Sequence, residues 1–257
     1  MTFIDVLILS IVEGVTEFLP ISSTAHLLIV ADLLKLPNSD FLSSFMIFIQ
    51  LGAIGAVVTL YFDRIVGNIE LVKKLLLAFA PTAIIGLFLY PIIKNVFFGS
   101  LYIVSGALFI GGLILIIFES WHKKQISTSK AELENISYKQ AFLIGLFQSI
   151  AVIPGVSRAG ATIMGGLWLG LSRVAIVEFS FLLAIPTMVA ATGYDLLKTG
   201  FYFNNQELSW LLLGFILSFL MALVAVKWLV AFIRQNDFTW FGVYRVVLAV
   251  LILTFLV

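Results

Sequence analysis

The chain has 257 residues, of which 61% are hydrophobic and 11% charged, with a mean hydropathy of +1.14 and a formal net charge of +1. Soluble domains carry roughly 25% charged residues, so this composition excludes a soluble globular protein and requires lipid around the outer face. The near-zero charge, with no dense basic cluster, excludes nucleic acid as a partner; the lack of cysteine excludes disulfides, thiolate catalysis and Cys-ligated zinc, and His26 and His122 alone are too few for a multi-histidine metal site.

The first apolar run covers residues 3–36. It does not read as a signal peptide, because Asp5 stands where a basic region belongs and Glu13 and Glu17 interrupt the run. It is broken at Pro20-Ile21-Ser22-Ser23-Thr24. Three spans are predicted next, near 41–61, 75–93 and 101–118, each close to the about 20 apolar residues that cross a bilayer. A polar loop follows at 119–139, with Lys123, Lys124, Lys130, Glu132, Glu134 and Lys139. The second interrupted run, 140–172, breaks at Pro154-Gly155-Val156-Ser157-Arg158, and three further spans are predicted near 174–197, 208–233 and 240–257. Each break leaves pieces of about 12–17 residues, short for a span and suited to re-entrant helices. The fold class that results is an all-α integral membrane protein with six transmembrane helices and two re-entrant helical hairpins.

The order is break, three spans, loop, break, three spans. The two breaks lie about 135 residues apart; Pro20 and Ser23 fall opposite Pro154 and Ser157 at one offset, and Glu13 falls opposite Gln148 at an offset one larger. Three spans per half is an odd number, so the second half enters from the opposite side. This gives an inverted-topology repeat with boundaries 1–118, 119–139 and 140–257, of the kind whose broken helices meet near the midplane. One side of the membrane carries or adjoins Arg64, Lys73, Lys74, Lys123, Lys124, Lys130, Lys139, Arg173, Lys227, Arg234 and Arg245; the other has Lys35, Lys94 and Lys198. The positive-inside rule makes the first side cytoplasmic, so both termini face outward and the first hairpin enters from outside.

Charges at membrane depth are costly and need a purpose. Glu13 and Glu17 stand four apart on one face of a helix that Pro20 ends. If they only braced the fold against Arg158, one arginine would have to neutralise two carboxylates. Ser22, Ser23 and Thr24 sit where a helix should start; they are good N-caps, and the same helix end offers free N–H groups and a positive dipole to a phosphate. His26 follows within the first turn, and a lone buried histidine is commonly a satisfied structural group. Gly155 permits close backbone approach, and Arg158 is a permanent forked donor for phosphate oxygens, with Ser157 and Thr162 near it. Gln50 and Gln148 are further candidates, or simply interhelical hydrogen bonders. Two carboxylates and one arginine leave about −1, which repels a diphosphate; a divalent cation, Mg²⁺ or Ca²⁺, would reverse the sign. A substrate's apolar tail would lie between helices, where bilayer lipid already is.

Glu13-Gly14-Val15-Thr16-Glu17-Phe18-Leu19-Pro20-Ile21-Ser22-Ser23-Thr24-Ala25-His26 resembles the first signature of the bacterial undecaprenyl-diphosphate phosphatases of the bacitracin-resistance type, and Pro154 to Thr162 resembles the second. Phe48-Ile49-Gln50-Leu51-Gly52 and Phe179-Ser180-Phe181-Leu182-Leu183-Ala184-Ile185-Pro186 are similar to the family as well, so the match runs through essentially the whole chain. Ala159 stands where the family usually has serine. The resemblance implies hydrolysis of undecaprenyl diphosphate to undecaprenyl phosphate and inorganic phosphate at the outer side of the bacterial cytoplasmic membrane, recycling the lipid carrier for peptidoglycan synthesis. It implies Ser23 as candidate nucleophile with His26 as competitor or helper, and Glu13 and Glu17 as metal ligands or proton carriers. Arg158 would grip the phosphates, joined by Ser22, Thr24, Ser157, Thr162, Gln50 and Gln148. The rival readings are a transporter or lipid flippase using the carboxylates as an ion site, and a non-catalytic membrane scaffold. Oligomeric state stays open, a homodimer included.

Overall fold

The computed structural model describes residues 1–92, 100–122, 133–199 and 203–256. Lys94, Lys123, Lys124, Lys130, Glu132 and Val257 lie outside the described residues. Among those described, the regular structure is helical. The order is α1 (Phe3–Thr16), α2 (Ser23–Leu33), α3 (Asp40–Leu60), α4 (Phe62–Val66), α5 (Ile69–Ile92), α6 (Leu101–His122), α7 (Tyr138–Ser149), α8 (Arg158–Trp168), α9 (Arg173–Thr199), α10 (Asn205–Ile233) and α11 (Thr239–Phe255). Five of these, α3, α5, α6, α9 and α10, are long and apolar enough to cross a membrane; α11, where the last span was expected, is apolar but shorter, with 17 residues. Helix α5 starts six residues before the expected span, so Lys73 and Lys74 belong to its first turns.

Both interrupted runs fold as two short helices separated by a turn. Helix α1 opens on a capping box in which Thr2 and Asp5 satisfy each other's backbone N–H, and α7 opens on the same device made by Ser137 and Gln140. Proline and the polar turn then end each run. Helices α2 and α8 are capped by Ser22 and Ser157, whose Oγ atoms accept the N–H of Ala25 at 3.4 Å and of Gly160 at 3.0 Å. Both capping serines hold the left-handed region, at φ 70° and 73°, a conformation that costs a non-glycine residue about 1–3 kcal/mol and concentrates at functional sites. Ser22 therefore corresponds to Ser157 and Glu13 to Gln148 at one common offset of 135 positions. This corrects the sequence alignment of the breaks, which paired Ser23 with Ser157. Gly155 has φ 95°, and a Cβ there would stand 2.6 Å from the Val104 carbonyl oxygen, so only glycine lets this turn pass α6.

Packing crosses between the halves. Helix α1 lies along α10 and α7 along α5, while α3 packs on α10 and α9, and α6 on α11. Gly145 makes the α7–α5 approach close: a Cβ there would collide with the backbone of Ala78. The outward faces keep large apolar side chains exposed, among them Phe88, Tyr102, Ile110, Leu212, Val224 and Trp240, as a lipid-facing surface requires. The helix ends near 61–74, 119, 133–138 and 173–178 are tied together by polar contacts: Arg64 to Glu178 at 2.7 Å, Arg173 to Glu119 at 2.6 Å, Tyr138 to Glu70 at 2.5 Å, and Lys74 to the Glu134 carbonyl at 3.1 Å.

Candidate active site

The two turns meet at one cavity of about 700 Å³. Of the residues singled out in the sequence, Glu17, Ser22, Ser23, Thr24, Gln50, Gln148, Ser157 and Arg158 line it, drawn from both halves of the chain. The rest of the wall is mostly apolar, with Phe79, Leu87, Met188, Val189 and Leu197 running outward along α5 and α9. A cavity with one polar end and a long apolar wall suits a ligand with a charged head and a hydrocarbon tail.

At the polar end Ser23 donates its hydroxyl proton to Glu17 Oε2 in a short hydrogen bond. Arg158 Nη2 donates to Glu17 Oε1 at 3.2 Å, so the two oxygens of one buried carboxylate face a hydroxyl and a guanidinium. Arg158 is itself held from behind: Nη1 donates to the Ser180 carbonyl at 2.8 Å, and the guanidinium lies 5.9 Å from the centre of the Phe18 ring. The order hydroxyl, carboxylate, guanidinium is one that can serve as nucleophile, base and orienting group. The caps use the N–H groups of Ala25 and Gly160, and the next ones go to the Ser22 and Ser157 carbonyls, which leaves the first N–H groups of α2 and α8 at the cavity end.

Glu13 lies one turn behind Glu17, fully buried, with Glu17 and Arg158 as its charged neighbours. It does not line the cavity, and neither of its carboxylate oxygens has a hydrogen-bond partner among the described residues. Two orphaned carboxylate oxygens fit a hard cation. Among the described residues no cluster of three or more acidic, histidine or cysteine side chains accompanies them, so substrate oxygens would have to complete any such site.

The family model described as bacitracin resistance protein BacA matches residues 6–251. The chain belongs to the BacA family. Similar relatives are an undecaprenyl-diphosphatase of Aquifex aeolicus, 48% identical with 99% of each chain covered, and one of Sulfurihydrogenibium sp., 49% identical with 98% of each covered. A third, from Persephonella marina, is 49% identical over 99% of each chain. With its long apolar helices, this BacA-family chain is a multi-pass membrane protein.

Besides Glu13, two of the expected site residues of this BacA-family chain, His26 and Thr162, lie apart from the cavity. His26 has both ring nitrogens engaged, Nδ1 with the Ser22 carbonyl at 2.7 Å and Nε2 with the Tyr244 hydroxyl at 2.8 Å, and its ring stacks on Tyr244. Thr162 bonds back to its own helix and contacts Ser180 Oγ at 2.6 Å, which braces the residue whose carbonyl holds Arg158. Gln148 is positioned by Thr82 and Thr187, which accept from its Nε2 at 2.9 and 3.2 Å. Thr187 spends its own proton on the Leu183 carbonyl, so the amide must donate, and Gln148 Oε1 is left buried without a partner. Arg245 requires a correction. The sequence reading put it at the cytoplasmic edge, but it is 2% exposed and donates to the carbonyls of Pro20 and Gly155, one in each turn. It leaves the positive-inside count, and it brings the charge near the site from about −1 to about neutral. The case for a cation then rests on Glu13 and on the charge of a diphosphate. The clue was available in the sequence: an arginine six residues into an apolar helix needs polar partners inside the protein.

Proposed function

We propose that this chain is an undecaprenyl-diphosphatase, hydrolysing the lipid diphosphate to undecaprenyl phosphate and inorganic phosphate. The observation that carries the reading is the Ser23–Glu17–Arg158 array at the polar end of an apolar cavity, in a chain whose full-length relatives bear that name. Ser23 Oγ attacks the terminal phosphorus while its proton passes to Glu17. The bond from that phosphorus to the bridging oxygen breaks, and undecaprenyl phosphate departs. Water then releases phosphate from the serine; alternatively, Glu17 activates water directly and no covalent intermediate forms. Arg158, held by Ser180, grips the phosphate oxygens, joined by the free N–H groups of α2 and α8 and by Ser22, Thr24, Ser157 and Gln50. Thr162 supports Arg158 through Ser180, and His26 fixes the first turn of α2. Glu13, with Glu17, would hold a divalent cation, Mg²⁺ or Ca²⁺; when bound it supplies positive charge against the diphosphate.

In this reading the broken helix pairs are re-entrant hairpins, α3, α5, α6, α9, α10 and α11 span, and the halves 1–118 and 140–257 form an inverted repeat around the cavity. The remaining basic residues favour a cytoplasmic face at 62–74 and 119–139, which puts the termini and the cavity mouth outside the cytoplasmic membrane. The matching layout of the two halves also favours lipid movement, either with hydrolysis or in place of it. Purified protein in detergent separates these. A phosphatase releases inorganic phosphate from undecaprenyl diphosphate without any membrane to cross, whereas a pure flippase releases none.

A further inference from the structure

Arg245 is among the largest fully buried side chains of the described residues, yet no carboxylate among them pairs with it. Its partners are three carbonyls: Pro20 through Nη1 at 3.2 Å, and Gly155 and Ala107 through Nη2 at 3.0 and 3.2 Å. Its Nε is buried without a partner. A buried cation satisfied only by neutral acceptors is costly, and helix N-termini beside it make the cost larger. Such a place is nevertheless built for it. A Cβ on Gly111 would collide with its guanidinium, and one on Gly160, in the first turn of α8, would stand 3.1 Å from Nη1.

The positions it ties together are matched. Pro20 lies three residues before Ser23, and Gly155 lies three residues before Arg158. One planar fork therefore spans the turn that presents the attacking hydroxyl and the turn that presents the phosphate grip. The neighbouring Tyr244 adds a second tie from α11 through His26 to the Ser22 carbonyl. The relatives' name and the Ser23–Glu17–Arg158 array say nothing of what keeps the two turns in register across more than 130 residues of chain.

We infer that Arg245 is a positioning residue for the hydrolysis proposed above, on which this inference rests. It sets the distance between Ser23 and Arg158 by holding both turns. Lysine keeps the charge but presents a single point donor that cannot reach both carbonyls as a fork does.

The test is the turnover of R245K and R245Q in detergent, with thermal unfolding as the folding control and a double-mutant cycle against R158K. Phosphate release by the parent is the reference; if the parent releases none, the hydrolase reading fails and not this one. With an active parent, R245K should fold, lose about tenfold or more in kcat, and change KM by less than about threefold. In the R158K background the same change should cost less than about threefold further, because the register it sets is already without use. R245Q should behave alike and replaces R245K if the lysine variant does not fold. Parent-like kcat in a folded R245K would overturn the inference. Losses that simply multiply with those of R158K, or failure of both variants to fold, would also overturn it, leaving Arg245 a scaffold residue.

Discussion

Replacing Arg158 with lysine keeps the charge and removes the fork. In the structure Arg158 already spends Nη1 on the Ser180 carbonyl at 2.8 Å and Nη2 on Glu17 at 3.2 Å, and its buried Nε has no partner among the described residues. In the proposed mechanism the phosphate oxygens meet the remaining η protons, since Nε is buried away from the cavity. A single ammonium cannot hold Ser180, steady Glu17 and reach the phosphate together, so at least one charge-assisted hydrogen bond is lost. Such a bond is worth about 1.5–3 kcal/mol, and at about 1.4 kcal/mol per decade the expected fall in kcat/KM is roughly ten- to a hundredfold. Because Glu17 loses its orienting partner as well as the phosphate its grip, most of the loss should appear in kcat. The assay is phosphate release at varied lipid diphosphate concentration, with thermal unfolding as control. A folded R158K enzyme within about twofold of the parent across roughly pH 6–9 would show that the fork is unnecessary and that Arg158 only counters Glu13 and Glu17.

Chelation should abolish phosphate release and a divalent ion restore it, with Glu13→Gln flattening the ion titration and Glu17→Gln inactive even at saturating ion; full activity of ion-free protein would remove the cation from the account. The orientation can be read by single-cysteine labelling, since the chain has no cysteine of its own and both Asn38 and Asp63 are exposed. A membrane-impermeant maleimide should label Asn38→Cys in intact spheroplasts and Asp63→Cys only after lysis, and the opposite pattern would invert the topology.

The five long apolar helices and both interruptions were legible because bilayer-length apolar runs and Pro-Gly-Ser turns leave a strong signature in sequence. Glu13, Glu17 and Arg158 stood out for the same reason, as charges in apolar company. What stayed hidden depends on backbone. The carbonyls of Pro20, Gly155 and Ser180 carry no sequence mark, so Arg245 was placed by its nearness to a helix start and Ser180 was not singled out as a site residue. The repeat register slipped by one at the serines because both capping residues take a positive φ, which spacing alone does not reveal. His26 lies in the first signature yet turns toward Tyr244, a contact made across 218 residues.

The most direct measurement is the turnover of Ser23→Ala beside Ser22→Ala in the same detergent assay. Ser23 donates its proton to Glu17, while Ser22 caps α2 through its Oγ. Losing the attacking hydroxyl should remove nearly all phosphate release while substrate still binds through Arg158. Losing the cap should cost about 1 kcal/mol of stability and lower turnover of the folded enzyme far less than Ser23→Ala does. A Ser23→Ala enzyme that turns over like the parent, or one more active than Ser22→Ala, would contradict the assignment of this site.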